Sequence, residues 1–133
     1  MLEIGLSREA SRVVGPEDSA QRVSTLVPDV YASARMIGFA ETVCAELMAQ
    51  HLAEGEGSVG IGFQLTHEAA TPIGMRVTMK GTLVEIAGKI CTFEIEGRDE
   101  VDRICSGRHV RAIIRTEKFI ARIAEKAKRM GGG

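Results

Sequence analysis

Glu41 stands where a charge does not belong. The run from Ala34 to Leu52 reads as an amphipathic helix in which Ile37, Ala40, Cys44, Leu47, Met48 and Leu52 recur at helical spacing as one apolar stripe. Glu41 falls inside that stripe, one turn from Ile37 and two from Met48, whereas Glu46 points the other way with Arg35, Thr42 and Gln50. A carboxylate on a core-facing stripe loses hydration, so it needs a partner or a raised pKa. Groups of that kind gather at functional sites.

An imidazole is expected on the same layer. Val59, Ile61, Phe63 and Leu65 alternate with Gly60, Gly62, Gln64 and Thr66 as in a half-buried strand, and one more step of that alternation lands on His67. A carboxylate and a histidine converging on one apolar layer is the arrangement that general acid–base chemistry requires. The carboxylate can orient the ring or attack directly, and the imidazole moves protons near neutral pH. The plain alternative is a structural buried pair, since ion-pair networks perturb pKa values as well. Ser33, two helical turns before Glu41, is placed to serve as the helix N-cap. Gly60 and Gly62 weaken a strand unless something approaches its backbone, either a ligand oxygen taking an N–H or a simple bulge. His51 lies at the end of the helix pattern, where it meets the helix dipole favourably, and His109 in Arg108-His109-Val110-Arg111 has no role legible from pattern.

The elements that position these residues follow from period and punctuation. Leu6 to Val14 holds a short strand, and Gly15-Pro16-Glu17-Asp18-Ser19 is a turn signal. After the helix the period changes to two: Met75 to Ala87, Ile90 to Gly97 and Ile104 to Thr116 follow as strands, with a tight turn at Ala87-Gly88-Lys89. Glu117 to Met130 closes as a short amphipathic helix, and the terminal glycines 131–133 are expected to be disordered. A long helix followed by antiparallel strands with hairpin-scale connections specifies an α+β domain, its sheet layered on the helix. There is no internal repeat and no linker, so residues 1–133 form a single domain.

Composition narrows the function class. With 44% hydrophobic residues, 26% charged residues and a net charge of -1, the 133-residue chain reads as soluble and globular, with no nucleic-acid or anionic-membrane surface. No apolar run reaches transmembrane length and the polar N-terminus lacks a signal-peptide core, so a cytoplasmic location is expected. Cys44, Cys91 and Cys105 form no C-x-x-C pair and read as buried reduced thiols; no metal site is implied. Glycine-rich phosphate loops, the G-x-S-x-G elbow and H-E-x-x-H are missing from the sequence.

Taken together, four segments resemble hotdog-fold acyl-CoA thioesterases of the fluoroacetyl-CoA thioesterase type. They are the helix Ser33 to Leu52, the junction Glu54-Gly-Glu-Gly-Ser-Val-Gly60, the run Leu65-Thr-His-Glu-Ala-Ala-Thr-Pro-Ile-Gly74 and the strand Ser106 to Ile114. The closing Glu117-Lys-Phe119 fits as well, and the likeness runs from about Val27 onward. The resemblance implies a central helix wrapped by a five- to six-stranded antiparallel sheet, joined to a partner sheet in a homodimer that could pair further into a tetramer. It implies hydrolysis of an acyl-CoA thioester, with coenzyme A entering only as part of the substrate and no other cofactor. Ser33 would stand for a catalytic threonine, Glu41 for the catalytic glutamate and His67 for the catalytic histidine, with Ser33 holding Glu41 by a hydrogen bond. Gly60 and Arg111 would line the thioester pocket. Val27 stands where that family's fluoroacetyl-specific enzyme carries a lid aromatic, so selectivity for fluoroacetate does not carry over. Whether Glu41 is nucleophile or general base stays open. The alternative is a hotdog module that binds acyl-CoA without hydrolysing it. A hotdog hydratase ranks last, because Asp29 is followed five residues on by Ala34, not histidine.

Overall fold

The computed structural model describes residues 1–131. Its elements are β1 (Ser7–Val13), α1 (Ser33–Ala49), β2 (Glu56–His67), β3 (Arg76–Ala87), β4 (Ile90–Asp99), β5 (Arg103–Arg115) and α2 (Thr116–Gly131), with two single 3-10 turns between β1 and α1. The strands pair antiparallel throughout in the order β1-β3-β4-β5-β2. Helix α1 lies across one face of this five-stranded sheet, so the α+β hotdog layout expected above is the one found. Gly88, at φ +62, opens the two-residue turn between Ala87 and Ile90, a backbone state that suits the twist of a tight hairpin.

The core sits between helix and sheet. Met36, Ala40, Val43, Cys44, Leu47 and Met48 of α1 are buried against Val77, Met79 and Leu83 of β3, Cys91, Phe93 and Ile95 of β4, and Cys105 of β5. This stripe differs from the one read off the sequence, for Met36 and Val43 are buried while Ile37 and Leu52 are only half-buried. Its centre therefore runs through Ala40, Val43 and Leu47. One residue turns a helix by about 100°, which leaves Glu41 on the rim of the buried stripe instead of inside it.

Strand β2 carries a second departure. The ladder with β5 pairs Gly60 with Arg111 and Gly62 with Val110, leaving Ile61 as a bulge with no partner opposite. Directly paired residues share a face of the sheet, as do residues two apart on one strand. Arg111 and His109 thus share a face, and so do their partners Gly60 and Phe63. The bulge lets two residues three apart in sequence both face α1, together with Ser58, Leu65 and His67. Val59 falls on the opposite face, so the unbroken alternation from Val59 to His67 expected from the sequence reverses at Ile61.

At the C-terminus, α2 is longer than the short helix expected and reaches Gly131; none of its residues is buried. The expectation of disorder for residues 132 and 133 lies outside the described residues.

Candidate active site

The entry to α1 sets the first half of the site. Tyr31 N–H donates to the Thr71 carbonyl at 2.9 Å and Ala32 N–H donates to the Asp18 carbonyl at 2.8 Å, while Val30 bridges to Pro72. Thr71 and Pro72 follow closely on the end of β2, so these bonds draw the first turn of the helix towards His67. The N-cap is Ala32, without a side-chain cap bond, and Ser33 is already the first residue of the helix. Its hydroxyl is therefore not engaged in capping, contrary to the sequence reading. Ser33 Oγ lies 2.7 Å from His67 Nδ1, and this bond replaces the one expected between Ser33 and Glu41.

His67 is the last residue of β2 and half-buried. Its Nε2 is buried and has no hydrogen-bond partner among the described residues. Burial holds its pKa below the ordinary imidazole value. The Ser33–His67 pair lines a cavity of about 380 Å³, walled further by Ala20, Val30, Tyr31 and Ala69.

The second half of the site lies two helical turns along α1. Glu41 Oε2 is 3.4 Å from Arg111 Nη1, and the Glu41 side chain remains 43% exposed in the single chain. It is accordingly not the desolvated acid that the stripe implied. Arg111 is buried and held on several sides: its Nε donates to Ser58 Oγ at 3.0 Å, its Nη2 to the Ser58 carbonyl at 3.1 Å, and its Nη1 is 3.1 Å from His109 Nε2. Gly60 closes this cluster from below. A Cβ at that position would fall within the van der Waals envelope of Glu41 Oε2 and 3.1 Å from His109 Cε1. Glycine there is what admits the carboxylate.

Within one chain, then, the expected residues form two groups. Ser33 and His67 are in contact; Glu41, Arg111 and Gly60 are in contact; eight residues of helix, about 12 Å of rise, separate Ser33 from Glu41. Val27 belongs to neither group. It is 38% exposed on the segment before α1, beside Val23 and Leu26, which are more exposed still. The cysteines are all free and buried, and burial pushes the Cys44 thiol up to about 12 and that of Cys105 to about 11, so neither is poised as a nucleophile.

Two members of the second group carried no assigned role in the sequence reading. His109 has no function legible from its pattern, and Ser58 falls in the junction Glu54 to Gly60 with no role of its own. The available signal was that His109 lies two residues from Arg111 on a strand and so shares its face.

Comparison with known proteins agrees with this fold. A family model described as fluoroacetyl-CoA-specific thioesterase matches residues 14–117. The fluoroacetyl-CoA thioesterase of Streptantibioticus cattleyicolor is 41% identical over 99 residues, 74% of this chain and 71% of that protein. The solved structure of a threonine-to-serine variant of the fluoroacetyl-CoA thioesterase in complex with acetyl-CoA superposes with a TM-score of 0.90 at 35% identity, covering 94% of this chain and 98% of the other. A Thermus thermophilus thioesterase superfamily member superposes with a TM-score of 0.92 at 26% identity, covering 98% and 97%.

Proposed function

This chain belongs to the fluoroacetyl-CoA-specific thioesterase family, and from that premise we propose that Glu41, His67 and Ser33 carry its reaction, with Gly60 and Arg111 beside the thioester. The enzyme hydrolyses an acyl-CoA thioester to the free acid and coenzyme A. Coenzyme A enters as part of the substrate, and the reaction is written without a metal or further cofactor. The observation that carries the assignment is the state of His67: Nδ1 is tied to Ser33 at 2.7 Å while Nε2 is buried and unbonded, which leaves one nitrogen to exchange a proton.

In the proposed mechanism Glu41 attacks the acyl carbon to form a mixed anhydride that water then hydrolyses, freeing the Glu41 carboxylate, or it draws the proton from a water that attacks the carbon directly. The C–S bond breaks, and the neutral His67 relays to the leaving thiolate the proton that the water gives up. Ser33 fixes the ring of His67. The backbone at the Gly60–Ile61 bulge, freed from the ladder at Ile61, is the proposed donor to the carbonyl oxygen as it gains charge. Both routes through Glu41 end in the same products, acid and thiol. Val27 is the proposed acyl-side residue where the family's fluoroacetyl-specific enzyme has an aromatic lid, which argues against strict selection for fluoroacetate.

A homodimer is the proposed working unit of this single 1–133 domain. Strand β2 is a 12-residue edge whose Ile61 and Phe63 are 54% and 44% exposed, an apolar edge that a second copy would cover. If the two β2 edges pair antiparallel about Gln64, with Ile61 again left out of the ladder, the partner's His67 lies opposite Gly60 and hence next to Glu41. Such pairing would join the two half-sites that one chain keeps apart. No helix among the described residues is long and apolar enough to cross a membrane, and a cytoplasmic location is proposed with the rest.

The test is to measure free thiol released from acetyl-, propionyl- and longer acyl-CoAs by the wild type and by Glu41→Gln and His67→Asn. Each substitution should lower kcat by about 10² to 10⁴. Undiminished turnover in either variant excludes the assignment.

A further inference from the structure

His109 is fully buried, yet the mechanism above does not use it. Its ring lies flat against Phe63 of β2, with centroids 4.3 Å apart and planes 12° from parallel. Its two nitrogens meet partners whose roles are fixed by chemistry. Nδ1 is 2.9 Å from the Gly62 carbonyl oxygen, which can only accept. Nε2 is 3.1 Å from Arg111 Nη1, which can only donate. The ring must then carry its proton on Nδ1 and present a bare lone pair at Nε2. A doubly protonated ring would set N–H against N–H at the guanidinium.

We propose that His109 is a positioning residue of this site: a neutral imidazole, protonated on Nδ1, that aims the Arg111 guanidinium at Glu41. The bulge at Ile61 is what makes this possible, because it brings the Gly62 carbonyl under the ring while Phe63 and Gly60 both stay on the α1 face. Arg111 is locked from one side by Ser58 and from the other by His109, and the same Nη1 that rests on His109 reaches Glu41 at 3.4 Å. Remove the lone pair and that N–H faces an apolar surface, so the guanidinium turns from Glu41 towards whatever acceptor remains. The charged groups facing the ring among the described residues are Arg111 on its own strand and Glu41 from α1. Strand β2 contributes the Gly62 carbonyl and Phe63, and β4 sets Phe93 opposite in register. Burial, the largest effect, favours the uncharged ring, as does the guanidinium, and together they outweigh the Gly62 carbonyl and Glu41, which favour the charged one.

The inference rests on the reading that Glu41 acts on the thioester, so it is tested first without turnover. In the intact protein labelled with ¹⁵N, long-range ¹H–¹⁵N spectra should show His109 neutral and protonated on Nδ1 at neutral pH, and still so at the ordinary imidazole pKa. An Nε2–H tautomer, or titration at the ordinary imidazole pKa, overturns the proposal. The kinetic arm compares His109→Leu with His109→Gln, whose amide can donate to the Gly62 carbonyl and accept from Arg111. His109→Leu should lower kcat roughly tenfold or more with KM changed by less than about twofold, and His109→Gln should recover most of that loss. Equal loss in both variants, or none in His109→Leu, refutes it. Should Glu41→Gln turn over normally while His109 still shows the locked tautomer, the assignment of Glu41 fails and the lock on Arg111 stands.

Discussion

Glu41 and Arg111 meet at 3.4 Å from opposite situations: the guanidinium is 5% exposed and the carboxylate 43%. The cation is the fixed partner and the acid the movable one. Arg111 cannot lose its charge, and the protein holds it with Ser58 and His109 as well as Glu41, so the ion pair is not what keeps it buried. A carboxylate so placed can leave its resting contact for a substrate without stranding the arginine.

Replacing Arg111 by lysine should therefore be far from conservative. One ammonium cannot span Ser58 Oγ, the Ser58 carbonyl, His109 Nε2 and Glu41 together. Arg111→Lys is expected to lower the unfolding free energy by about 1–3 kcal/mol and kcat/KM by roughly tenfold or more, read from denaturant melts and thiol release.

Gly60 and Gly62 should behave oppositely although both lie at the bulge. A Cβ at Gly60 displaces Glu41 Oε2, whereas one at Gly62 meets only Val110, at 3.7 Å, an ordinary contact. Gly60→Ala is expected to fold and to lose about tenfold or more in kcat. Gly62→Ala should stay within about twofold of wild type. Equal kinetics in the two variants would contradict the placement of the carboxylate.

Ser33→Ala separates two roles for one hydroxyl. Were Ser33 the N-cap, its loss would cost about 1 kcal/mol of stability. Because Ala32 holds that position, the melt should shift by less than about 0.5 kcal/mol while turnover falls and Ser33→Thr retains it.

The histidines set the acid limb. Burial depresses the pKa of both His67 and His109 from 6.5. As pH falls through that value the unfolded chain takes up protons before the folded one, so this contribution to stability is complete above it and declines as pH drops towards the folded pKa values. Chemical melts across the acid range should show that decline, with a smaller slope in His67→Asn. The fall in kcat/KM attributed to His67 should likewise lie below the usual imidazole range.

Complementation tests the shared pocket. Glu41→Gln and His67→Asn, each inactive alone, are mixed and allowed to exchange subunits. Heterodimers then rebuild one good pocket, and random exchange should restore about a quarter of wild-type turnover. A mixture as inactive as its parts, with exchange verified by mass, means that each pocket draws on one chain.

Much of the layout was legible before the structure. Period-two patterning located β3 and β4, since Val77, Met79 and Leu83, and Cys91, Phe93 and Ile95, follow the pleat where they meet α1, and the glycine at 88 marks their hairpin. His67 was found on the correct face, though by an alternation that the bulge at Ile61 interrupts. Glu41 drew notice as an acid in a dry stripe, yet it sits at that stripe's edge.

The periods of the chain, 3.6 and then two, together with its turns, were enough to set one helix against an antiparallel sheet, since each residue's face follows from local backbone geometry alone. What needed the tertiary structure was parity and partnership. One extra residue at Ile61 inverts which side chains face the helix, and no local propensity records that insertion, because it is settled by pairing with β5. The bonds from Ser33 to His67 and from His109 to Arg111 likewise depend on how distant backbone segments dock, and that docking is decided by the packing of the whole core.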